Sequence, residues 1–278
     1  MTEARILNLT SGAVACEVSG DETGQPVIGI PGLSANLRSF DVIYAALDDA
    51  RHRKIAFDPR GRGLSEKTPA GTYGWPAHAR DVVEIADQLG ARTFDVIGWS
   101  MGAWIAMVVA EIAPERVRRM VLVDAAGVPE ESIKVPIYAG LDRLADDFPS
   151  REAFMAIVRN LPHYQPFPPW ERLFAYELVD VDGGVGFRTQ RAAPWEDEQY
   201  RLTQDPYELW GALTMPVLLV RAARQIPPSF GYLITPEDYR RFLREVPQAE
   251  GVEIDANHYT IGMNPDAARE ISTFLDSS

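Results

Sequence analysis

The sequence predicts an α/β fold, a mostly parallel sheet with helices on both faces. Three observations carry that reading. Strand-like and helix-like runs alternate along most of the chain. At residues 94–110, F-D-V-I-G-W-S-M-G-A-W-I-A-M-V-V-A, an apolar β-prone run turns through glycines into an apolar helix-prone run. With 278 residues and 46% hydrophobic content, the chain has ample material for a large core.

Residues 5–9 and 13–19 read as two short strands around Thr10-Ser11-Gly12, an antiparallel addition to the sheet. Residues 26–30 read as a buried strand running into Pro31-Gly32-Leu33-Ser34. Such a loop offers backbone N–H groups that suit an oxyanion, and it suits an ordinary connection equally well. Residues 40–47 have helical apolar spacing, and 54–57 form the next strand. The following loop, Asp58-Pro59-Arg60-Gly61-Arg62-Gly63-Leu64-Ser65, is rich in glycine and arginine. It lacks the lysine and the spacing of a P-loop. Residues 75–89 read as a helix with Pro76 in its first turn and Gly90 as its stop. The strand at 118–123 ends at Asp124.

From 128 to 212 strand-like runs are scarce and aromatics and prolines crowd in. Gly183-Gly184 and Pro194-Trp195 mark loops. Alternation resumes afterwards, so this stretch reads as a helical insertion into a core formed by 1–127 and 213–278. Residues 216–220 and 251–255 are the last strands. Helices follow them at 235–246, capped by Thr235, and from Asn264-Pro265-Asp266 onward.

Composition narrows the chemistry. There are 27 basic and 40 acidic residues, a net charge of −13. That balance argues against nucleic acid or an anionic membrane as partner. The single cysteine, Cys16, rules out an internal disulfide framework and a cysteine metal cluster. No histidine or carboxylate grouping has metal-ligand spacing, and no dinucleotide fingerprint is present, so neither metal nor cofactor is expected. The first residues carry no apolar signal core, and a soluble, cytoplasmic protein is expected. The expected partner is a small-molecule substrate, with a homodimer left open.

The candidate chemistry centres on Gly98-Trp99-Ser100-Met101-Gly102, a G-x-S-x-G pentapeptide. The pentapeptide alone is common. A strand before it and an apolar helix after it are the context it needs. That context puts Ser100 at the carboxyl end of the sheet, ahead of the positive end of a helix.

Four features together resemble the α/β-hydrolases over nearly the full length. They are the strand ending in Pro31-Gly32, the Asp58-x-Arg60-Gly61-x-Gly63-x-Ser65 loop, the Gly98-x-Ser100-x-Gly102 elbow, and Asn257-His258 followed by Asn264-Pro265. The resemblance implies a mostly parallel eight-stranded sheet and a helical lid at 128–212, inserted after the sixth strand. Relatives commonly carry His-Gly where this chain has Pro31-Gly32. The oxyanion donors implied are the backbone N–H groups of Leu33 and Met101.

Of the four histidines, His52, His78 and His163 lie in a charged loop, a helix and the insertion. Only His258 falls between the last strand and the last helix, where it would serve as the base for Ser100. Many relatives take the triad acid from the loop after the strand at 216–220. Here that loop, 221–235, has no acid. Glu237 and Asp238 come next, in a helix first turn that favours acids anyway. Asp124, at the end of the strand beside the Ser100 strand, is the preferred acid, as in some lactonases and amide hydrolases that the chain resembles.

The reaction implied is hydrolysis of a carboxylic ester or lactone through an acyl-enzyme on Ser100. Amide hydrolysis, carbon–carbon bond hydrolysis and a non-enzymatic ligand receptor or scaffold are the alternatives. Trp99, Trp170 and Trp195 are the candidate pocket walls. Arg143, Arg159, Arg172, Arg188 and Arg191 offer charge for a substrate carboxylate, and for most of them a solvated insertion surface is the preferred reading.

Overall fold

The structure, a computed structural model, describes residues 2–227 and 229–277. The chain opens with β1 (Glu3–Leu9), β2 (Gly12–Gly20) and β3 (Gln25–Ile30). Then come α1 (Asp41–Ala46), β4 (His52–Phe57), α2 (Trp75–Gln88), β5 (Phe94–Trp99), α3 (Met101–Ile112) and β6 (Val117–Val123). The insertion follows with α4 (Lys134–Arg143), α5 (Arg151–Val158), α6 (Glu171–Glu177), β7 (Leu178–Val181), β8 (Gly184–Phe187) and α7 (Ala192–Arg201). The chain closes with β9 (Val217–Ala222), α8 (Pro236–Glu245), β10 (Ala249–Ile254) and α9 (Pro265–Asp276).

Eight strands form one sheet in the order β1-β2-β4-β3-β5-β6-β9-β10. β2 runs antiparallel to both β1 and β4, and the remaining pairs are parallel. The α/β architecture expected from the alternation is therefore present.

The strands are apolar on both faces because helices cover both. Period-two alternation divides them: Met120 and Leu122 of β6 join one core, and Val121 and Val123 join the other. The first core holds α2, α3 and Phe242 of α8, and the second holds Ile43 of α1 and Ile271 of α9. Both late helices start as their sequences prescribe. The Thr235 hydroxyl accepts from Asp238 N at 3.0 Å, and Asn264 Oδ1 accepts from Asp266 N at 2.7 Å.

The insertion departs from the purely helical expectation. Its helices are joined by the β7–β8 hairpin, paired antiparallel across the two-residue loop Asp182-Gly183. Gly183 has φ +82°, a backbone that favours glycine. Phe40, expected to open the helix at 40–47, instead ends a 3₁₀ turn over Leu37–Phe40 ahead of α1.

The turn from β5 into α3 is the tightest approach that positions the site. A Cβ placed on Gly102 would lie 1.9 Å from the Ile30 carbonyl oxygen, and one on Gly98 would lie 2.2 Å from the Gly102 oxygen. Both obstacles are backbone and cannot swing aside. Gly102→Ala is expected to destabilise the fold by about 3 kcal/mol despite alanine's helix preference. Gly140→Ala, with open space around its Cβ in α4, is expected to gain about 0.5–1 kcal/mol. Urea unfolding of both variants checks the contrast, and a wild-type midpoint for Gly102→Ala would contradict it.

Candidate active site

Ser100 sits between β5 and α3 with φ +58° and ψ −122°. Its N–H donates to the Val123 carbonyl at 3.0 Å, tying the turn to the end of β6. One strand over, Asp124 has φ +53°, and its N–H donates to Val220 O at 2.8 Å. Among the described residues these are the non-glycine positions with positive φ. Such a backbone costs on the order of 1–3 kcal/mol per residue and gathers at functional sites.

The two strained residues meet through His258. Its Nε2 lies 3.0 Å from Ser100 Oγ, and its Nδ1 lies 2.9 Å from Asp124 Oδ2. The other Asp124 oxygen, Oδ1, accepts from Ala222 N at 2.8 Å, so the end of β9 orients the carboxylate. His258 lies in the loop between β10 and α9. Asn257 shapes that loop, its Oδ1 accepting from the N–H groups of Tyr259 and Thr260 at 2.9 and 3.2 Å. Asp124, not the later acids, is the carboxylate brought to His258. Asp238 instead accepts from the Tyr207 hydroxyl at 3.0 Å and from Thr235, while Glu237 is exposed.

A cavity of about 160 Å³ opens over Ser100, with Leu33, Met101, Trp99 and Trp170 in its wall. Among the described residues, no acceptor holds the N–H of Leu33 or of Met101. Met101 starts α3, so its N–H has no carbonyl one turn back, and the helix dipole adds positive potential there. Trp99 and Trp170 pack with ring centres 6.0 Å apart.

Trp195 is a correction, for it does not line the cavity. It packs edge-on against Tyr138 at 5.0 Å, beneath the Arg191 guanidinium. The wall contains residues that the sequence did not single out, among them Trp104, Tyr164 and Tyr259. Trp104 lies one helical turn after Ser100 and stacks on Trp75 at 5.2 Å, a position that spacing alone could have flagged. Among the described residues, no group of three or more His, Cys, Asp or Glu side chains is arranged to hold a metal ion.

Buried charge joins the insertion to the core. Asp197 of α7 accepts from Arg62 Nη2 at 2.5 Å and lies 3.0 Å from His78 Nε2, all three side chains being buried. Burial opposes the Asp197 charge, but His78 and Arg62 outweigh it and hold its carboxyl well below the usual carboxylate range. Arg62 also donates to the Leu33 carbonyl through Nε and Nη2, at 3.1 and 2.8 Å. The arginine of the glycine-rich loop thus links the insertion to the segment that presents the Leu33 N–H. Asp58 makes a second join, accepting from Leu37 N, Leu64 N and the Tyr176 hydroxyl at 2.9, 2.8 and 2.6 Å.

A profile of the α/β-hydrolase fold matches residues 25–264. The chain belongs to the α/β-hydrolase family. This α/β-hydrolase superposes on E-2-(acetamidomethylene)succinate hydrolase with a TM-score of 0.87 over the whole of both chains, at 22% identity. It superposes on an α/β hydrolase from Novosphingobium aromaticivorans with a TM-score of 0.80, at 23% identity over 99% of this chain and 98% of that one. Both likenesses show the fold alone.

In sequence it is 32% identical to a serine hydrolase-like protein of Danio rerio, over 42% of this chain and 36% of that protein. It is 34% identical to a putative carbamate hydrolase, RutD, of Variovorax paradoxus, over 41% of this chain and 42% of the other. It is 31% identical to the esterase YbfF of Escherichia coli, over 49% of this chain and 53% of that protein. The matches span about a third to a half of these relatives' length. No described helix is long and apolar enough to cross a membrane.

Asp197→Asn tests the charged join. It keeps the shape but leaves Arg62 without a counter-ion, at an expected cost of about 3 kcal/mol. For a chain of this size that corresponds to a Tm roughly 6–10 °C lower. A melting temperature within about 2 °C of wild type would show that this pair does not hold the insertion.

Proposed function

We propose that this α/β-hydrolase is a serine hydrolase that cleaves a carboxylic ester or lactone of a small, largely apolar molecule. The observation that carries the reading is the unbroken chain from Ser100 Oγ through the His258 ring to Asp124, at 3.0 and 2.9 Å.

The mechanism follows from who donates. The Asp124 carboxylate can only accept, so His258 carries its hydrogen on Nδ1, and Nε2 keeps the lone pair that faces Ser100. Ser100 Oγ attacks the substrate carbonyl as Nε2 takes its proton. The negative charge that forms on the carbonyl oxygen falls to the N–H groups of Leu33 and Met101, each such donor being worth roughly 3 kcal/mol. The protonated His258 gives its proton to the leaving oxygen, and an acyl-enzyme remains. Water then attacks the acyl carbon while His258 takes one of its protons. The imidazolium returns that proton to Ser100, and the free acid leaves. The small cavity walled by Trp99 and Trp170 supports a compact substrate.

The first test is hydrolysis of a panel of p-nitrophenyl esters, lactones and an N-acyl amide by wild type and Ser100→Ala. Ser100→Ala is expected to lose roughly 10⁴-fold or more in kcat on the preferred member. Equal turnover by the variant would sink the nucleophile assignment. Preference for the amide would overturn the ester and lactone reading. A folded wild type with no turnover and no fluorophosphonate adduct at Ser100 would point to a binding protein.

A second pair tests the acid. Asp124→Asn is expected to lose roughly 10⁴-fold in kcat, while Glu237→Gln stays near wild type. The reverse pattern would overturn the assignment of Asp124.

A further inference from the structure

The cavity over Ser100 is mostly apolar, yet Arg143, Arg201, Glu177, Asp197 and Glu198 all reach its wall. Four of these five are accounted for within the protein. Both Glu198 oxygens accept from Arg201, at 2.7 Å each. Asp197 is matched by Arg62 and His78. Glu177 is buried, accepts from Asn36 Nδ2 at 3.1 Å and Thr189 N at 2.6 Å, and is pushed up toward the neutral acid by burial. Arg143, half-buried at the end of α4, has no carboxylate within ion-pair distance among the described residues.

Other arginines of the insertion differ. Arg151 pairs with Asp180, Arg159 with Glu171, Arg172 with Asp41, and Arg191 with Asp142. Arg188 donates to the Tyr176 carbonyl at 2.8 Å. Arg143 lines the cavity with its guanidinium hydrogen-bonded to the neutral Tyr164 hydroxyl and with no ion-pair partner among the described residues.

The rings beside it supply no anion. Tyr164 and Tyr259 share the cavity wall with it. Burial pushes both phenols up, so they stay neutral. His163 packs on the two rings at 4.4 and 4.8 Å. Burial first, and then the charge of Arg143, push its imidazole down to about 4, so it is neutral at pH 7. A guanidinium keeps its charge at any physiological pH and presents five N–H donors in a plane that matches a carboxylate.

We infer that Arg143 binds a carboxylate carried by the substrate, separate from the carbonyl that Ser100 attacks, so that the preferred substrates are small esters or lactones bearing a free carboxylate rather than neutral ones. This rests on the serine hydrolase reading. One uncompensated cation matches a singly charged carboxylate. A phosphate dianion would keep one charge unpaired inside an apolar cavity, which is costly. Arg143 is here a specificity determinant, and it takes no part in bond making.

The test uses two matched ester pairs. Mono-4-nitrophenyl glutarate against 4-nitrophenyl valerate places the anion on the acyl side. 4-Carboxyphenyl butyrate against 4-carbamoylphenyl butyrate places it on the leaving group. Wild type is expected to favour the anionic member of one pair by roughly 10–100-fold in kcat/KM, the range of a charge-assisted hydrogen-bonded contact. Arg143→Met should erase that preference, mainly by raising KM for the anionic ester. Arg143→Lys should keep part of it. No preference in either pair, or a preference that survives in Arg143→Met, would overturn the inference.

Calorimetric binding of glutarate and of glutaramide separates the two readings. Glutarate binding that needs Arg143, without ester turnover, would keep the carboxylate site and count against the hydrolase. Ser100-dependent turnover, with no preference for anions and no glutarate binding, would do the opposite.

Discussion

The site depends on one close approach of backbone to backbone. Where α3 leaves the sheet, Gly102 passes so near the end of β3 that a methyl group there would overlap the Ile30 carbonyl oxygen. This contact brings the start of α3 against the loop carrying Leu33. Beside it Ser100 takes a positive φ, and its hydroxyl lies 3.0 Å from His258 Nε2. Asp124 repeats the device one strand away, and His258 bridges the two from the far end of the chain. Strain at two neighbouring strand ends is tolerated because the parallel ladders of β5, β6 and β9 hold both ends in register.

The insertion is bound to this frame by buried polar groups as well as by apolar packing. Asp197 meets Arg62 and His78, Tyr176 meets Asp58, and Glu177 meets Asn36. Buried ion pairs contribute little net stability, because removing charge from water is costly. What they supply is registry, since a misplaced insertion would leave several buried charges unpaired at once. Arg62 carries that registry to the Leu33 carbonyl, so Asp197 in the cavity wall and the loop beside Ser100 are held by the same guanidinium.

Much of the core was legible because its signals are local. Glycines clear a tight turn, Thr235 and Asn264 cap helices, and apolar runs mark strands buried on both faces. The β7–β8 hairpin escaped notice because its strands have four residues each, although the Asp182-Gly183 loop carries a known hairpin dipeptide. The Trp195 assignment failed for a different reason. Which face of α7 meets the cavity is decided by packing, and Asp197 and Glu198 took that face while Trp195 turned to Tyr138.

By itself the sequence determined the order of strands and helices in the core, the elbow at Ser100 and the location of His258 beyond the last strand. Each rests on interactions between residues near in the chain. Only the tertiary structure decided which acid reaches His258, because that depends on strand order in the sheet and not on distance along the chain. It likewise decided which arginines find an acid nearby. Arg143 shows no difference in sequence from its paired neighbours, and only folding left it facing the cavity without an anionic partner among the described residues.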